Sequence, residues 1–122
     1  MTVQSAPFKD GDRVVFFGDS ITHGYDAVYP SLSYAVTLAR LMDADSTNKG
    51  IGGEVFFPEL LEGAVTEQPD FVTVAYGTND WSKNDSIDVL RANCTAFYGN
   101  LAKKYPNAKI FALTPIWRGD ID

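Results

Sequence analysis

Four stretches of the chain carry the residue types of β-strands, and segments with helical spacing separate them. Arg13 to Phe17 is a continuous apolar run after the turn-like Asp10-Gly11-Asp12. Such a run is expected of a central strand covered on both faces. Phe71 to Tyr76 follows Pro69-Asp70, is rich in β-branched and aromatic residues, and runs into Gly77-Thr78-Asn79-Asp80. Lys109 to Leu113 follows Pro106-Asn107 and runs into Thr114-Pro115-Ile116-Trp117-Arg118. Asp45 to Lys49 is short and polar, ahead of Gly50-Ile51-Gly52-Gly53, and is predicted as an edge strand.

Between the first two strands, Ser33 can cap a helix in which Tyr34, Ala35, Leu38, Leu41 and Met42 share one face. Pro58 to about Ala64 reads as a shorter helix, with Pro58 suited to its first turn. A longer helix joins the last two strands, where Ile87, Leu90, Cys94, Phe97 and Leu101 recur with helical period after candidate caps Asp85 and Ser86. Strands alternating with helices predict a parallel, flavodoxin-like sheet of about four strands in a three-layer α/β/α sandwich. Ligands bind such sheets beyond the carboxyl ends of the strands. Ser20, Gly53, Asn79 and Arg118 each lie just past one of the four strands, so the topology alone gathers them on one rim.

Composition narrows the functional classes. The 122 residues fit one domain, and 45% hydrophobic with 21% charged residues is ordinary for a packed globular chain. A net charge of -6 without a Lys/Arg cluster argues against nucleic acid as partner. No apolar stretch approaches a membrane span, and Met1 to Asp12 lacks the apolar core of a signal peptide, which leads to a cytoplasmic expectation, with secretion of a processed form left open. The single cysteine, Cys94, falls at an apolar helical position and is expected to be structural. The acidic residues show no calcium-loop spacing and there is no histidine-rich ligand set, so neither a metal nor a cofactor is implied.

The candidate chemistry begins with Gly18-Asp19-Ser20, a hydroxyl presented where an apolar strand ends. A serine hydroxyl attacks only when a base takes its proton, and acyl transfer also needs donors aimed at the developing oxyanion. Ser20 and Gly53 can each offer a backbone N-H, and the Asn79 side-chain amide a third donor. Alone, each of the three segments is more readily a plain strand-end turn. Their order at successive strand ends is what favours a site.

Gly18-Asp19-Ser20-Ile21-Thr22, Asn48-Lys49-Gly50-Ile51-Gly52-Gly53 and Gly77-Thr78-Asn79-Asp80 resemble the first three blocks of the SGNH hydrolase superfamily, also called GDSL-type esterases and lipases. The resemblance runs from about Arg13 to Arg118. It implies Ser20 as nucleophile, Gly53 and Asn79 as oxyanion donors, and a small-molecule or carbohydrate acyl ester as substrate. The family's last block, D-x-x-H, which supplies the base and its orienting aspartate, has no counterpart before Asp122. The expectation is therefore a single domain over residues 1–122, truncated at its C-terminus and inactive by itself. The alternatives are a non-catalytic binding or scaffold domain of the same fold, or a fragment completed by another chain or by self-association through an uncovered sheet.

Other residues of the rim are assigned around this centre. His23, the only histidine, follows Ser20 by three positions; it is placed near substrate or in a local hydrogen bond, with the base role the least favoured because helical side chains tilt away from the reach a base needs. Asp19 is counted with the rim but, like Asp80, is expected to brace its loop rather than titrate. Tyr25, Tyr29, Trp81 and Trp117 are candidate walls of an acyl or sugar pocket, with packing as the alternative for each. Arg118 is a candidate partner for a substrate carboxylate or for a surface ion pair.

Overall fold

The computed structural model describes residues 13–25, 27–63, 68–83 and 86–115, with the backbone alone at Trp81. Strand β1 (Arg13–Gly18) leads through Asp19 into a single-turn helix α1 (Ser20–His23), and after a 3-10 turn at Pro30–Leu32 comes α2 (Tyr34–Met42). Strand β2 (Asp45–Gly50), a 3-10 turn at Pro58–Leu61 and β3 (Phe71–Ala75) follow, then α3 (Asp80–Lys83), α4 (Ile87–Lys104) and β4 (Lys109–Ala112). All strand pairs are parallel, in the order β2-β1-β3-β4. This is the flavodoxin-like order. The predicted interior and edge positions of β1 and β2 are the observed ones.

Side chains of β1 alternate between the two faces, as the period of a strand requires. Val15 and Phe17 join Val72, Val74, Phe97 and Leu101 in one core between the sheet and α4. Val14 and Phe16 join Ala35 and Ala39 in a smaller core beneath α2. The helices therefore lie on opposite faces of the sheet, giving the three layers. Phe97 is the hub of the larger core, with its ring edge-on to Phe17, Phe56 and Tyr76 at centroid distances of 5.9, 5.7 and 5.4 Å.

Serine caps start both longer helices: Ser33 Oγ accepts from Val36 N and Ser86 Oγ from Val89 N, each at 3.3 Å. Asp85, the other candidate cap, lies outside the described residues. Three expectations differ in detail. The Pro58 helix is only one 3-10 turn, since Glu62 is already extended at φ -72 and ψ 147 and Gly63 follows with φ 115. Leu41 is exposed rather than inward, because α2 ends at once in the left-handed Asp43; Ala35 and Ala39 are buried in its core, and Tyr34 and Leu38 pack against it half-buried. Ile87 is also exposed, in the first turn of α4. Cys94 is half-buried against the larger core, where burial pushes its thiol pKa up.

Candidate active site

In register, Gly18 stands opposite Gly50 on one side and Ala75 on the other, so the ends of β1, β2 and β3 are level. The chain crosses from β1 outward to β2 and then back to β3 on the other side of β1. This reversal is the topological switch point of the sheet, where open α/β sheets form their binding crevice. Ser20 emerges from β1 and Asn79 from β3, on the two sides of that crevice.

The turn holding Ser20 is fixed from behind. Asp19 is 2% exposed, and its Oδ1 accepts from Ile21 N at 2.9 Å as the N-cap of α1. That inward carboxylate braces the turn, and places Asp19 behind the rim rather than on it. Ser20, the first residue of α1, is itself half-buried. At the far end of α1 the imidazole of His23 donates from Nδ1 to the Gly50 carbonyl at 3.1 Å. A carbonyl oxygen can only accept, so Nδ1 carries the hydrogen of this bond. His23 is thus a local hydrogen-bonding residue joining α1 to the end of β2.

Asn48 ties the same two segments. Its Nδ2 donates to Thr22 O at 2.7 Å, and its Oδ1 accepts from Gly50 N at 2.9 Å. Gly50 is required by close approach: a Cβ there would lie 2.5 Å from His23 N and 2.9 Å from Thr22 C. Real Cβ atoms do not tolerate such distances to a main chain, so any larger residue would push α1 off β2.

The segment after β2 forms a turn at Ile51-Gly52-Gly53-Glu54, closed by Glu54 N donating to Ile51 O at 3.1 Å. Gly53 has φ +76, while Gly52 is not among the positive-φ residues. That sign pattern defines a type II turn, which calls for glycine at its third position. The Gly53 N-H belongs to the central peptide of the turn, the one that such a turn does not bond internally. A Cβ at Gly53 would meet Lys83 Nζ at 3.2 Å and no other described atom within 4 Å, so the space beside it is otherwise open.

Three side chains between Asn79 and Lys83 hold this turn and the residues that follow it. Asn79 Nδ2 donates to Glu54 O at 3.0 Å. Asp80, 1% exposed, accepts on Oδ1 from Phe56 N at 3.0 Å. The Lys83 ammonium donates to the Gly53 carbonyl. Since an amide nitrogen carries two hydrogens, Asn79 retains a second donor. The three segments named from the sequence are therefore joined in series, α1 to the end of β2 and the following turn to α3.

Tyr76 lies behind this assembly, 2% exposed. Its phenol pKa is raised, first by burial and then by the negative charges of Glu54, Asp19 and Asp80. The hydroxyl comes near the Gly18 main chain but makes no hydrogen bond of good geometry among the described residues. Tyr25 and Tyr29 stand 69% and 64% exposed on the segment after α1. Trp81 sits on α3, with its side chain outside the described residues, as are Trp117 and Arg118 entirely. Among the described residues no cluster of His, Cys, Asp and Glu could hold a metal ion, and no helix is long and apolar enough to cross a membrane.

Sequence reasoning did not single out Lys83, and assigned Asn48 no individual role. Their acceptors are carbonyls 30 and 26 positions away, which leave no trace in side-chain patterns.

A parallel α/β/α sandwich with a serine turn at its switch point is a fold of the flavodoxin-like class. Residues 16–122 match the GDSL-like lipase/acylhydrolase family, and the chain belongs to it. Among solved structures, a G-D-S-L family protein from Desulfitobacterium hafniense DCB-2 is 20% identical, with a TM-score of 0.72 over 87% of this chain. The chain spans 61% of that protein's length. A family two carbohydrate esterase from Clostridium thermocellum, solved with cellohexaose, is 21% identical, with a TM-score of 0.72 over 88% of this chain and 44% of its own. AlinE4, an SGNH-hydrolase family esterase, is 20% identical, with a TM-score of 0.70 over 84% of this chain and 58% of its own. No curated protein sequence matches the chain.

Proposed function

We propose that this chain carries the transition-state half of an acyl ester hydrolase. In this reading Ser20 Oγ attacks the ester carbonyl, the carbonyl π electrons move onto oxygen, and the N-H groups of Ser20 and Gly53 with the Asn79 amide receive that oxyanion. Collapse expels the alcohol and leaves an acyl group on Ser20, which water then removes. The observation that carries the reading is the serial hydrogen bonding that joins α1, the Gly53 turn and α3, the three segments to which the candidate donors belong. Removing one such donor typically slows acyl transfer on the order of a hundredfold or more.

The base is the part assigned elsewhere. His23 has its Nδ1 on the Gly50 carbonyl, and family resemblance assigns the proton transfer to a D-x-x-H segment with no counterpart up to Asp122. Carbohydrate esterases among the structural neighbours, one of them active on acetylated mannans, favour short acyl groups on a sugar as substrate, and the acidic chain does not favour nucleic acid as partner.

Hydrolysis of p-nitrophenyl acetate tests the reading in two arms. The 122-residue chain is expected to show little turnover above its Ser20→Ala control. Strong Ser20-dependent turnover by a monomer would return the base role to His23. A product extended to a D-x-x-H segment, where the source gene encodes one, is expected to hydrolyse the ester with full dependence on Ser20 and Asn79. An extended product indifferent to both substitutions would leave a binding domain as the better reading.

A further inference from the structure

We propose that the Tyr34 hydroxyl, acting through Thr22, is a positioning group for Ser20: it fixes how α1 is turned about its own axis, so that Ser20 faces the crevice. The inference rests on the nucleophile role proposed above for Ser20.

The physical problem lies in the length of α1. A helix of four residues does not hold its shape or orientation by itself. Within it, His23 N donates to Asp19 O at 3.1 Å and Gly24 N to Ser20 O at 2.9 Å, so the turn moves as one piece. The bonds already described hold that piece mostly lengthwise. The Ile21 N-H and the Thr22 carbonyl, bonded to Asp19 and Asn48, lie along the axis as helical peptide groups do. His23 reaches the Gly50 carbonyl through a rotatable side chain. Rotation about the axis is what these bonds resist least, and it is the motion that would swing Ser20 away from a substrate carbonyl.

Thr22 and Tyr34 oppose that rotation. Residues two apart in a helix project to nearly opposite sides, so Thr22 turned inward leaves Ser20 turned outward. Thr22 is the one buried residue of α1. Gly18 continues the β1 face of Val14 and Phe16, and Thr22 fills the place of its missing side chain. A Cβ on Gly18 would overlap the Thr22 hydroxyl and lie 2.6 Å from the Thr22 Cβ. Tyr34, the first residue of α2, packs its ring edge-on to Phe16 at a centroid distance of 6.2 Å. Its hydroxyl and Thr22 Oγ1 are hydrogen-bonded at 2.6 Å, and either can donate. Burial raises the pKa of this phenol, so its proton stays available to the bond. The bond runs from α1 to the helix layer on one face of the sheet, whereas those of Asn48 and His23 run to the neighbouring strand.

Phenylboronic acid probes this geometry without a catalytic base. The Ser20 Oγ lone pair forms an O-B bond, the hydroxyl proton passes to solvent, and boron becomes a tetrahedral anion. Boron-11 NMR reads the change from trigonal to tetrahedral boron, and a titration gives the affinity. Ser20→Ala is expected to abolish the tetrahedral signal. Tyr34→Phe keeps the ring on Phe16, and Thr22→Val keeps the volume against Gly18. Each is expected to weaken binding about threefold to tenfold, the scale of one neutral hydrogen bond. The double substitution is expected to bind no more weakly than either single one, since both remove the same bond. Its thermal unfolding is expected to recover relative to Tyr34→Phe, because no buried hydroxyl is left unpaired, while its affinity stays low. Thr22→Ser, which keeps the hydroxyl, is expected to retain most of the affinity. Wild-type affinity in Tyr34→Phe, affinity that recovers with stability in the double variant, or Thr22→Ser as weak as Thr22→Val overturns the inference. A parent chain that gives no tetrahedral signal, or a signal that survives Ser20→Ala, instead overturns the site reading on which it rests.

Discussion

The two faces of the sheet are built to different standards. On one, the 18-residue α4 covers a core in which Phe17, Val72, Val74, Phe97, Leu101 and Tyr105 are at most 1% exposed. On the other, the nine-residue α2 covers β1 with two buried alanines, while its Tyr34 and Leu38 pack there only half-buried. Beyond it Phe71 and Phe111 pack together with ring centroids 6.2 Å apart, yet Phe111 remains 50% exposed. Strands β1 and β4 are both apolar runs, but β1 is buried along five residues while β4 is mostly exposed. Burial in this molecule is decided by which helix lies overhead, and local sequence decides only that a strand forms.

Phe97→Ala should be the most damaging of a set of substitutions paired across the two faces. Emptying the hub of the larger core is expected to cost about 3–5 kcal/mol in urea unfolding, and a loss below about 1 kcal/mol would break the comparison. Alkaline pH should next expose the same face. Burial pushes Tyr98 up to about 12, against roughly 10 for an unfolded tyrosine. The unfolded chain therefore gives up that proton first, so the stabilisation is complete below about pH 10 and declines as pH rises toward 12. Tyr98→Phe is expected to flatten that decline in a series of unfolding curves, and an unchanged slope would remove Tyr98 as its source.

Ser33→Ala measures the thinner face. Loss of the α2 cap is expected to cost about 1 kcal/mol, with amide exchange in α2 accelerating more than in α4. Equal acceleration in both helices would mean that the two faces unfold as one unit. The smallest effect is expected at Phe111→Ser, within about 0.5 kcal/mol of the parent chain. A loss comparable to Phe97→Ala would show that β4 is covered in solution.

Much of this architecture was legible because it depends on period and punctuation. The apolar runs at β1, β3 and β4 and the serine before each long helix specify those elements with little ambiguity. β2 was legible only by context, since its polar residues pair through the main chain at an edge. Leu41 and Ile87 misled because helical spacing says which residues share a face but cannot say how far the opposing sheet extends. For the candidate site, Ser20, Gly53 and Asn79 could be gathered on one rim because each follows a strand. His23 and Asp19 were narrowed only by the structure, which shows what each binds. Lys83 and Asn48 had no comparable signal, because each bonds a distant backbone oxygen.

That last property shapes which substitutions the rim can absorb. Across the joined loops, Asn48, His23, Asn79 and Lys83 reach the carbonyls of Thr22, Gly50, Glu54 and Gly53, and Asp80 reaches the amide of Phe56. The reaching side chain is specific, whereas its partner offers an atom that every residue possesses. Positions such as Glu54 can drift among many amino acids without loosening the bond made to them, while Asn79 or Asn48 cannot change without breaking one. Evolution along this rim is thus one-sided: the reaching side chains are held in place, a partner such as Glu54 is free to vary, and Gly50 and Gly53 are held by their backbone geometry instead.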